Sequence, residues 1–263
     1  MRKTIADIIK MKGKEKISAL TAYDYPTGQI LDKVGLDIIL VGDSAAMVVA
    51  GHETTIPITV DEMLYHTRMV SRAVNNALVI ADMPFMSFQL SSRAAVKNAA
   101  RFIKEGQANG VKIEGGRPII RMVRKLITIG IPVMGHIGLT PQSVNLLGYR
   151  IQGKDKETRK RLIADARALE KAGCFSIVLE KIPESLAQEI TENLTIPTIG
   201  IGAGRYCDGQ ILVLHDILGL YPDFHPKFVR RYADVGRIIA EACSKFIEDV
   251  KTGSFPGKEN LYQ

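Results

Sequence analysis

The stretch ALVIAD at residues 77–82 is an apolar run that ends on a carboxylate, and three other stretches end in the same way. They are IILVGD at residues 38–43, VKIE at 111–114 and FSIVLE at 175–180. Runs rich in Val, Ile and Leu are typical of parallel strands buried on both faces. Because the carboxyl ends of such strands meet at one edge, the four stretches predict an acidic site there.

Eight strand-like runs recur along the chain, and segments with apolar residues at helical spacing fill most of the gaps. The runs cover residues 17–23, 37–41, 77–82, 111–114, 131–136, 175–180, 196–201 and 210–214. Strands that alternate with helices predict a parallel sheet, since right-handed crossovers join parallel neighbours. Eight units therefore predict an α/β fold closed as a (β/α)8 TIM barrel. The Gly-rich gap between the last two runs is too short for a regular helix.

We predict a single domain over residues 1–258 with a helix near each end. Thr4 precedes IADIIKMK at residues 5–12 and is expected to cap a lid helix. Residues 228–250 are expected to form a C-terminal helix with an apolar face of Val235, Ile238, Ala242 and Phe246. Residues 259–263 are either a native tail or the remnant of a protease-cleavage tag.

The composition of the chain limits the classes of function that it can have. The chain has 263 residues, 46% of them hydrophobic and 24% charged, and no apolar stretch approaches the roughly 20 residues of a membrane span. The net charge of +7 is spread along the chain, which favours a solvated surface over a nucleic-acid site. Cys174, Cys207 and Cys243 are widely spaced and form no CxxC pair that would indicate zinc or a redox couple, so we expect free thiols. With no signal peptide visible, we expect a cytoplasmic protein without membrane or nucleic-acid partners.

Three of the carboxylates are candidate metal ligands. Asp43, Asp82 and Glu114 follow neighbouring strands and should converge, where they would repel one another unless a cation is bound. Ligand sets made only of oxygen favour a hard ion such as Mg²⁺. The alternative is that each acid caps a helix or lies in a surface loop.

Lys112 and Glu180 complete the predicted chemistry. Lys112 lies two residues before Glu114, so both side chains point to the same face of the strand. It would hold an anionic substrate or form a Schiff base, or else only pair with Glu114. Glu180 is placed to remove a proton next to a substrate carbonyl, the enolate being stabilised by the metal. Its alternatives are an ion pair with Lys181 or a helix cap.

Histidines and a glycine-rich segment are weaker candidates. His136 ends the fifth run within GHIGLTPQS, where it would bind substrate or serve a structural role. His52 lies in a loop and His66 in a helix, and neither His215 nor His225 is a convincing site. GIGAG at residues 200–204 follows the seventh run, where many barrels bind phosphate, so it is a candidate wall of the substrate or cofactor pocket.

The motifs taken in order resemble the ketopantoate hydroxymethyltransferase family over nearly the whole chain. They are TAYDYP at 21–26, VGDS at 41–44, GH at 51–52, TxPxTVDEM at 55–63, ADMPF at 81–85, VKIEGG at 111–116, GHIGLTPQS at 135–143, VLE at 178–180 and IGIGAGxxxDGQ at 199–210. Ala45 and Ala46 depart from the Leu-Gly pair common in the family, in the loop after VGD.

The resemblance implies a barrel of the phosphoenolpyruvate/pyruvate superfamily, assembled as a homodecamer. It implies transfer of a hydroxymethyl group from 5,10-methylenetetrahydrofolate to 3-methyl-2-oxobutanoate, which gives 2-dehydropantoate in pantothenate biosynthesis. The residues matching the family's sites are Asp43, Asp82 and Glu114 for Mg²⁺, with Asp43 and Glu114 acting directly or through water; Asp43, Ser44, Asp82, Lys112 and His136 for the keto acid; and Glu180 as the general base.

Two other functions stay open from the sequence. Another Mg²⁺-dependent lyase or decarboxylase of 2-oxo acids in the same superfamily would use similar carboxylates, but without the folate. A non-catalytic barrel that binds a phosphorylated ligand through residues 200–204 would need neither Mg²⁺ nor Glu180. No motif in the chain indicates where the folate binds.

Overall fold

The computed structural model describes residues 2–221 and 226–262, and its centre is a closed barrel of eight parallel strands. Each strand pairs with the next along the chain, and β1 closes the ring against β8. The strands are β1 Ile17–Thr21, β2 Ile38–Val41, β3 Leu78–Asp82, β4 Gly110–Glu114, β5 Val133–Gly138, β6 Ser176–Glu180, β7 Thr198–Ile201 and β8 Gly209–Leu212. The predicted (β/α)8 fold is therefore confirmed, although the strand ends differ by up to two residues.

Helices follow most strands within the described ranges. They are α1 Ile5–Met11, α2 Tyr25–Lys33, α3 Ala45–Val48, α4 Val60–Ala73, α5 Ser92–Lys104, α6 Ile120–Thr128, α7 Val144–Leu147, α8 Lys156–Ala172, α9 Glu184–Asn193, α10 Leu214–Leu218 and α11 Val235–Thr252, with 3-10 turns at Arg117–Ile119, Pro141–Ser143 and Lys258–Asn260. As predicted, β7 and β8 are joined without a helix. None of these helices combines the length and hydrophobicity needed to cross a bilayer.

Local sequence explains where several helices begin and end. Thr4 caps α1 through a reciprocal pair of hydrogen bonds with Asp7, and Thr59 and Glu62 form the same arrangement at the start of α4. Asp155 accepts backbone hydrogen bonds at the start of α8, and Gly173 ends that helix with a left-handed backbone. These caps satisfy backbone groups that would otherwise lack partners.

The amino-terminal half of the barrel interior is filled with apolar side chains. Ile8 and Met11 of α1 pack in one buried cluster with residues from the early parts of the strands, such as Ile17, Ile38 and Leu78. The predicted lid helix therefore covers the amino-terminal end of the barrel. The carboxyl-terminal end is left for polar side chains, which is the usual site position in this fold.

The chain divides into two compact units, Met1–Val213 with the barrel and Leu214–Gln263 with α10 and α11. Within the second unit, α11 begins at Val235, later than the predicted residue 228, because residues 228–234 do not adopt helical structure. Ile238 and Phe246 of its apolar face are more than half exposed. The single domain over residues 1–258 remains a prediction.

Candidate functional site

The carboxyl-terminal end of the barrel holds a cluster of buried polar side chains. Its members come from the ends of β2 to β6 and from the turn after β5: Asp43, Asp82, Lys112, Glu114, His136 and Gln142 are each at most 6% exposed, and Glu180 is slightly more open. The structure thus brings together the carboxylates, the lysine and the histidine that the sequence singled out. Polar groups buried at this density are stable only when they pair or bind a ligand.

Lys112 and Asp82 form the central ion pair. The register of β3 and β4 places the two residues opposite each other, and Lys112 Nζ lies 2.8 Å from Asp82 Oδ1. Burial acts to lower the pKa of Lys112, but the charges of Asp82, Glu114 and Asp43 outweigh it and raise the pKa above its usual value. A lysine held this firmly as an ammonium is a poor nucleophile, which disfavours a Schiff base. The alternative, an ion pair between Lys112 and Glu114, is not formed, because Lys112 pairs with Asp82 instead.

Asp43 and Glu114 carry negative charge that the protein only partly compensates. Burial, followed by repulsion from Asp82 and Glu114, raises the pKa of Asp43 well above its usual value. Burial also raises the pKa of Asp82, although Lys112 opposes it. Glu114 Oε1 is fully buried and lacks a well-directed hydrogen bond. An additional cation would stabilise the ionised carboxylates and give Glu114 Oε1 a partner.

The oxygen donors of this cluster fit a hard divalent cation. Among the residues that the structure describes, no three His, Cys, Asp or Glu side chains converge on one point at metal-ligand distances. Mg²⁺ is commonly held through one or two carboxylates with water and substrate completing the shell. Asp43, Asp82 and Glu114 offer the type of oxygen donor that suits Mg²⁺, and their role as its ligands stays a prediction.

Gln142 belongs to this cluster, although sequence reasoning did not single it out. It lies in the 3-10 turn after β5, where its backbone N–H donates to Glu114 Oε2 at 3.0 Å. Its side-chain amide donates to Asp43 Oδ2 and to the carbonyl oxygen of Met83, both at 2.9 Å. The signal available in the sequence was a polar residue in the loop just after the predicted run 131–136, which ends in the candidate His136.

His136 lies between two carboxylates. Its Nδ1 is 3.3 Å from Glu114 Oε1 and its Nε2 is 3.1 Å from Glu180 Oε2, although neither contact is well directed. Burial and Lys112 act to lower the pKa of His136, but the contacts with Glu114 and Glu180 raise it to about 9. Nδ1 is also 3.1 Å from Lys112 Nζ, from which only the neutral ring could accept a hydrogen bond.

Glu180 ends β6. Its carboxylate faces His136 and not Lys181, the next residue in the chain. Lys181 has a left-handed backbone (φ 49°) and donates to the carbonyl oxygen of Tyr149 at 2.5 Å. The alternative ion pair between Glu180 and Lys181 is therefore not formed. The Glu180 carboxylate is left at the edge of the cluster, where its side chain is 15% exposed and open to a ligand.

Ser44 stands at the rim beside Asp43. Its Oγ lies 2.8 Å from the hydroxyl of buried Tyr23, and His66 Nδ1 contacts the Tyr23 carbonyl oxygen at 2.7 Å. A side chain at Gly42 would approach Ser44 Oγ to 2.8 Å, so glycine leaves the room that this hydroxyl occupies. His66 is thus paired with the backbone beneath the site.

The remaining candidates are three histidines and the glycine-rich segment after β7. His52 is exposed, His215 lies in α10, and His225 lies outside the described residues. The backbone after β7 is left-handed at Gly204, whose carbonyl oxygen accepts from Gln210. A role for residues 200–204 as a pocket wall stays a prediction. Cys174, Cys207 and Cys243 are free thiols.

The barrel resembles solved enzymes in overall fold. A 2,3-dimethylmalate lyase described as a PEP mutase/isocitrate lyase superfamily member superposes with a TM-score of 0.61 at 15% identity, covering 98% of this chain and 90% of that one. Phosphonopyruvate hydrolase in complex with oxalate and Mg²⁺ gives a TM-score of 0.62 at 10% identity, with 99% and 92% coverage. These likenesses confirm the predicted (β/α)8 barrel fold.

Sequence comparison is more specific than the fold. A family model for ketopantoate hydroxymethyltransferase matches residues 2–258. The 3-methyl-2-oxobutanoate hydroxymethyltransferase of Thermosipho africanus (strain TCF52B) is 55% identical over 261 residues, which cover 99% of this chain and 98% of the relative. Because one family matches from end to end at this identity, the chain belongs to the ketopantoate hydroxymethyltransferase family.

Proposed function

We propose that this enzyme transfers a hydroxymethyl group from 5,10-methylenetetrahydrofolate to 3-methyl-2-oxobutanoate, which gives 2-dehydropantoate and tetrahydrofolate. Family membership supports the reaction class. The observation that carries the mechanism is the position of Glu180, an available carboxylate at the edge of a buried cluster built around the Lys112–Asp82 pair. This arrangement has a base on one side and an anchor for an anionic substrate on the other.

The charge balance of the cluster supports a metal requirement. Asp43, Asp82, Glu114 and Glu180 face one lysine and one histidine, so an anionic keto acid would meet excess negative charge. Asp43, Asp82 and Glu114 would hold Mg²⁺, which when bound supplies positive charge beside the keto and carboxylate oxygens of the substrate. The solved phosphonopyruvate hydrolase complex contains the dicarboxylate oxalate together with Mg²⁺.

The protein side chains have separate tasks in this proposal. The Lys112 ammonium attracts the substrate carboxylate, and Ser44 offers a hydroxyl to one of its oxygens. Glu180 removes the proton from C3 of the keto acid, which leaves an enolate. His136 contacts Glu180 Oε2 at 3.1 Å and positions the base. Water adds to the one-carbon unit of the folate as its two C–N bonds break and tetrahydrofolate leaves, and the enolate carbon bonds to that carbon, which keeps the oxygen from water as the hydroxyl group.

Proton exchange at C3 tests the base and its site directly. Proton NMR would follow 3-methyl-2-oxobutanoate in D₂O with the enzyme and Mg²⁺, with EDTA in a parallel tube. We expect the C3 proton signal to disappear only in the presence of metal. Adding methylenetetrahydrofolate should then give 2-dehydropantoate. Turnover of the keto acid without any folate would instead indicate a lyase or decarboxylase of the same superfamily.

We also propose that the enzyme assembles as a homodecamer. The described residues of α11 are not buried, and large apolar side chains such as Ile238, Ile239 and Phe246 are about half exposed. Exposed apolar faces of this kind are typical of association surfaces, and a second copy of the chain is the proposed occupant. Sedimentation velocity should give about 290 kDa, ten times the 28.9 kDa chain. A particle of one chain would contradict the assembly.

A cytoplasmic location completes the proposal. The three cysteines are free, and thiols persist in reducing compartments. Fractionation of cells that express the protein should recover it with the cytoplasmic markers. Recovery with the membrane fraction would contradict this location.

A further inference from the structure

A groove with basic walls runs from the edge of the site along the outer face of α8. Its first hollow, of about 590 Å³, is lined by Arg117, Leu146 and Arg161 among others. The second, of about 500 Å³, shares Arg117 and Arg161 with the first and adds Lys160. The third, of about 370 Å³, shares Lys160 with the second and continues to Lys171. Because neighbouring hollows share these lining residues, the three hollows form one continuous groove.

Apart from Arg117, which pairs with Asp165 at 3.0 Å, the cations of this groove lack partners of opposite charge among the described residues. Lys160, Arg161, Arg167 and Lys171 are exposed, and their side chains make no ion pair or hydrogen bond with the residues that the structure describes. By contrast, Arg159 on the same helix pairs with Glu189 at 2.6 Å. Four unpaired cations on one helix repel one another and favour an anionic ligand.

The spacing of the cations suits an extended ligand. Lys160, Arg167 and Lys171 recur on one face of α8, with Ala164 and Ala168 as the small residues between them. At a rise of 1.5 Å per residue, this row spans about 16 Å. Glu157 is the exposed acid in the lining, at the start of the helix. A compact anion would use one or two of these cations, whereas a chain of carboxylates would use them all.

The groove begins beside the catalytic cluster. Gly115, which follows Glu114, lines the first hollow, as does Gly138, which pairs with Glu180 across β5 and β6. Thr140 and Ser143 line it as well, on either side of Gln142. A substrate that reaches the cluster from this hollow would therefore leave its distal end on α8.

We propose that this groove binds the acidic tail of the folate cosubstrate, in the form of a chain of γ-linked glutamates. This inference rests on the proposed function, since the folate is the substrate that carries such a tail. Apolar side chains in the first hollow, including Pro118 and Leu147, offer a surface for its aromatic part. The tail carboxylates then meet Arg161, Lys160 and Arg167 in turn.

Binding of two oxidised folates that differ only in tail length tests the proposal. The probes are pteroyl-monoglutamate and pteroyl-penta-γ-glutamate, titrated by fluorescence quenching at low ionic strength against the full-length enzyme. We expect the pentaglutamate to bind about tenfold more tightly, since two or more exposed ion pairs each contribute modestly. The advantage should shrink as salt is added.

Two matched double variants distinguish binding of the tail in this groove from nonspecific attraction between the tail and the positively charged protein. Lys160→Glu with Arg167→Glu should abolish the preference for the long tail and leave monoglutamate binding unchanged. Lys33→Glu with Lys97→Glu makes the same change in net charge at exposed positions outside the groove, and should keep the preference. Equal binding of both probes by the unmodified enzyme, or equal loss in both variants, would overturn the proposal.

A parallel assay of hydroxymethyl transfer distinguishes this inference from the proposed function. Turnover with the monoglutamate cosubstrate, combined with no preference for the long tail in binding, would overturn the groove alone. Absence of turnover with either tail would overturn the proposed function, while the binding comparison would still decide whether the groove recognises polyglutamate.

Discussion

Gln142 donates its side-chain amide to Asp43 Oδ2 at 2.9 Å, while its backbone N–H donates to Glu114 Oε2 at 3.0 Å. One residue therefore orients two of the three carboxylates that we propose as metal ligands. Such supporting hydrogen bonds matter because a ligand held in one orientation loses less freedom on binding.

Replacing Gln142 should weaken the site without removing a charge. For Gln142→Ala we expect a loss of about 10-fold to 100-fold in Mg²⁺ affinity or in kcat/KM, the range found for supporting residues around metals. Mg²⁺ titrations of activity would measure both. Gln188→Ala on the surface of α9 is the matched control and should behave like the unmodified enzyme. If the two variants are indistinguishable, Gln142 does not orient the ligands.

Glu180→Gln should separate substrate binding from proton removal. The amide keeps the shape of the side chain but cannot act as a base, so deuterium exchange at C3 should fall by about 10²-fold to 10⁴-fold. Calorimetry should show nearly unchanged binding of the keto acid in the presence of Mg²⁺. Asp82→Asn, by contrast, should weaken both binding and exchange, because it disrupts the pair with Lys112.

Glu184→Gln is the matched control for this experiment. Glu184 begins α9, four residues after Glu180, and pairs with Arg205 at 3.1 Å on the surface. The Glu184→Gln variant should retain the normal rate of deuterium exchange at C3 of the keto acid. Exchange at the unmodified rate in Glu180→Gln would show that another group is the base.

The strand ends of the site could be predicted because buried parallel strands are continuous apolar runs. Asp82, Glu114 and Glu180 each close a strand in the structure, and Asp43 lies two residues beyond the end of β2. The period of two along β4 also correctly placed Lys112 and Glu114 at the same buried end of the barrel. These features depend on local sequence alone.

The partners within the site depend on geometry between elements, which local sequence does not specify. Lys112 pairs with Asp82 because the register of two neighbouring strands places them opposite each other. Gln142 reaches Asp43 because of the conformation of the turn after β5. The acidic strand ends were therefore visible in the sequence, whereas their hydrogen-bond partners were not.

A double-mutant cycle on Lys112 and Asp82 should reveal a strong coupling. Lys112→Met leaves a buried carboxylate without its partner, and we expect it to lower the free energy of unfolding by about 3–5 kcal/mol in EDTA. Combining it with Asp82→Asn removes the stranded charge, so the double variant should be more stable than Lys112→Met alone. Urea unfolding at one protein concentration measures all four corners of the cycle. Simple additivity would show that the pair is not coupled.

Asp32 should make the free energy of unfolding depend on pH in the acidic range. Its carboxylate, at the end of α2, accepts hydrogen bonds from the backbone N–H groups of Asn75, Asn76 and Ala77, just before β3. Burial acts to raise the pKa of Asp32, but these hydrogen bonds outweigh it and hold the pKa below its usual value of 3.8. The stabilisation is therefore complete above pH 3.8 and is lost as the pH falls through the lower pKa of the folded state.

Asp32→Asn tests this dependence, because the amide accepts fewer hydrogen bonds and carries no charge. We expect it to lower the free energy of unfolding by about 1–3 kcal/mol at neutral pH. The difference from the unmodified protein should narrow as the pH falls below 3.8 and through the lower pKa of the folded state, where the unmodified carboxylate also becomes protonated. Asp61→Asn, whose side chain is 80% exposed in a surface pair with Arg101, is the control and should change stability by less than about 0.5 kcal/mol. A difference for Asp32→Asn that stays constant with pH would show that shape, not charge, explains the role of this residue.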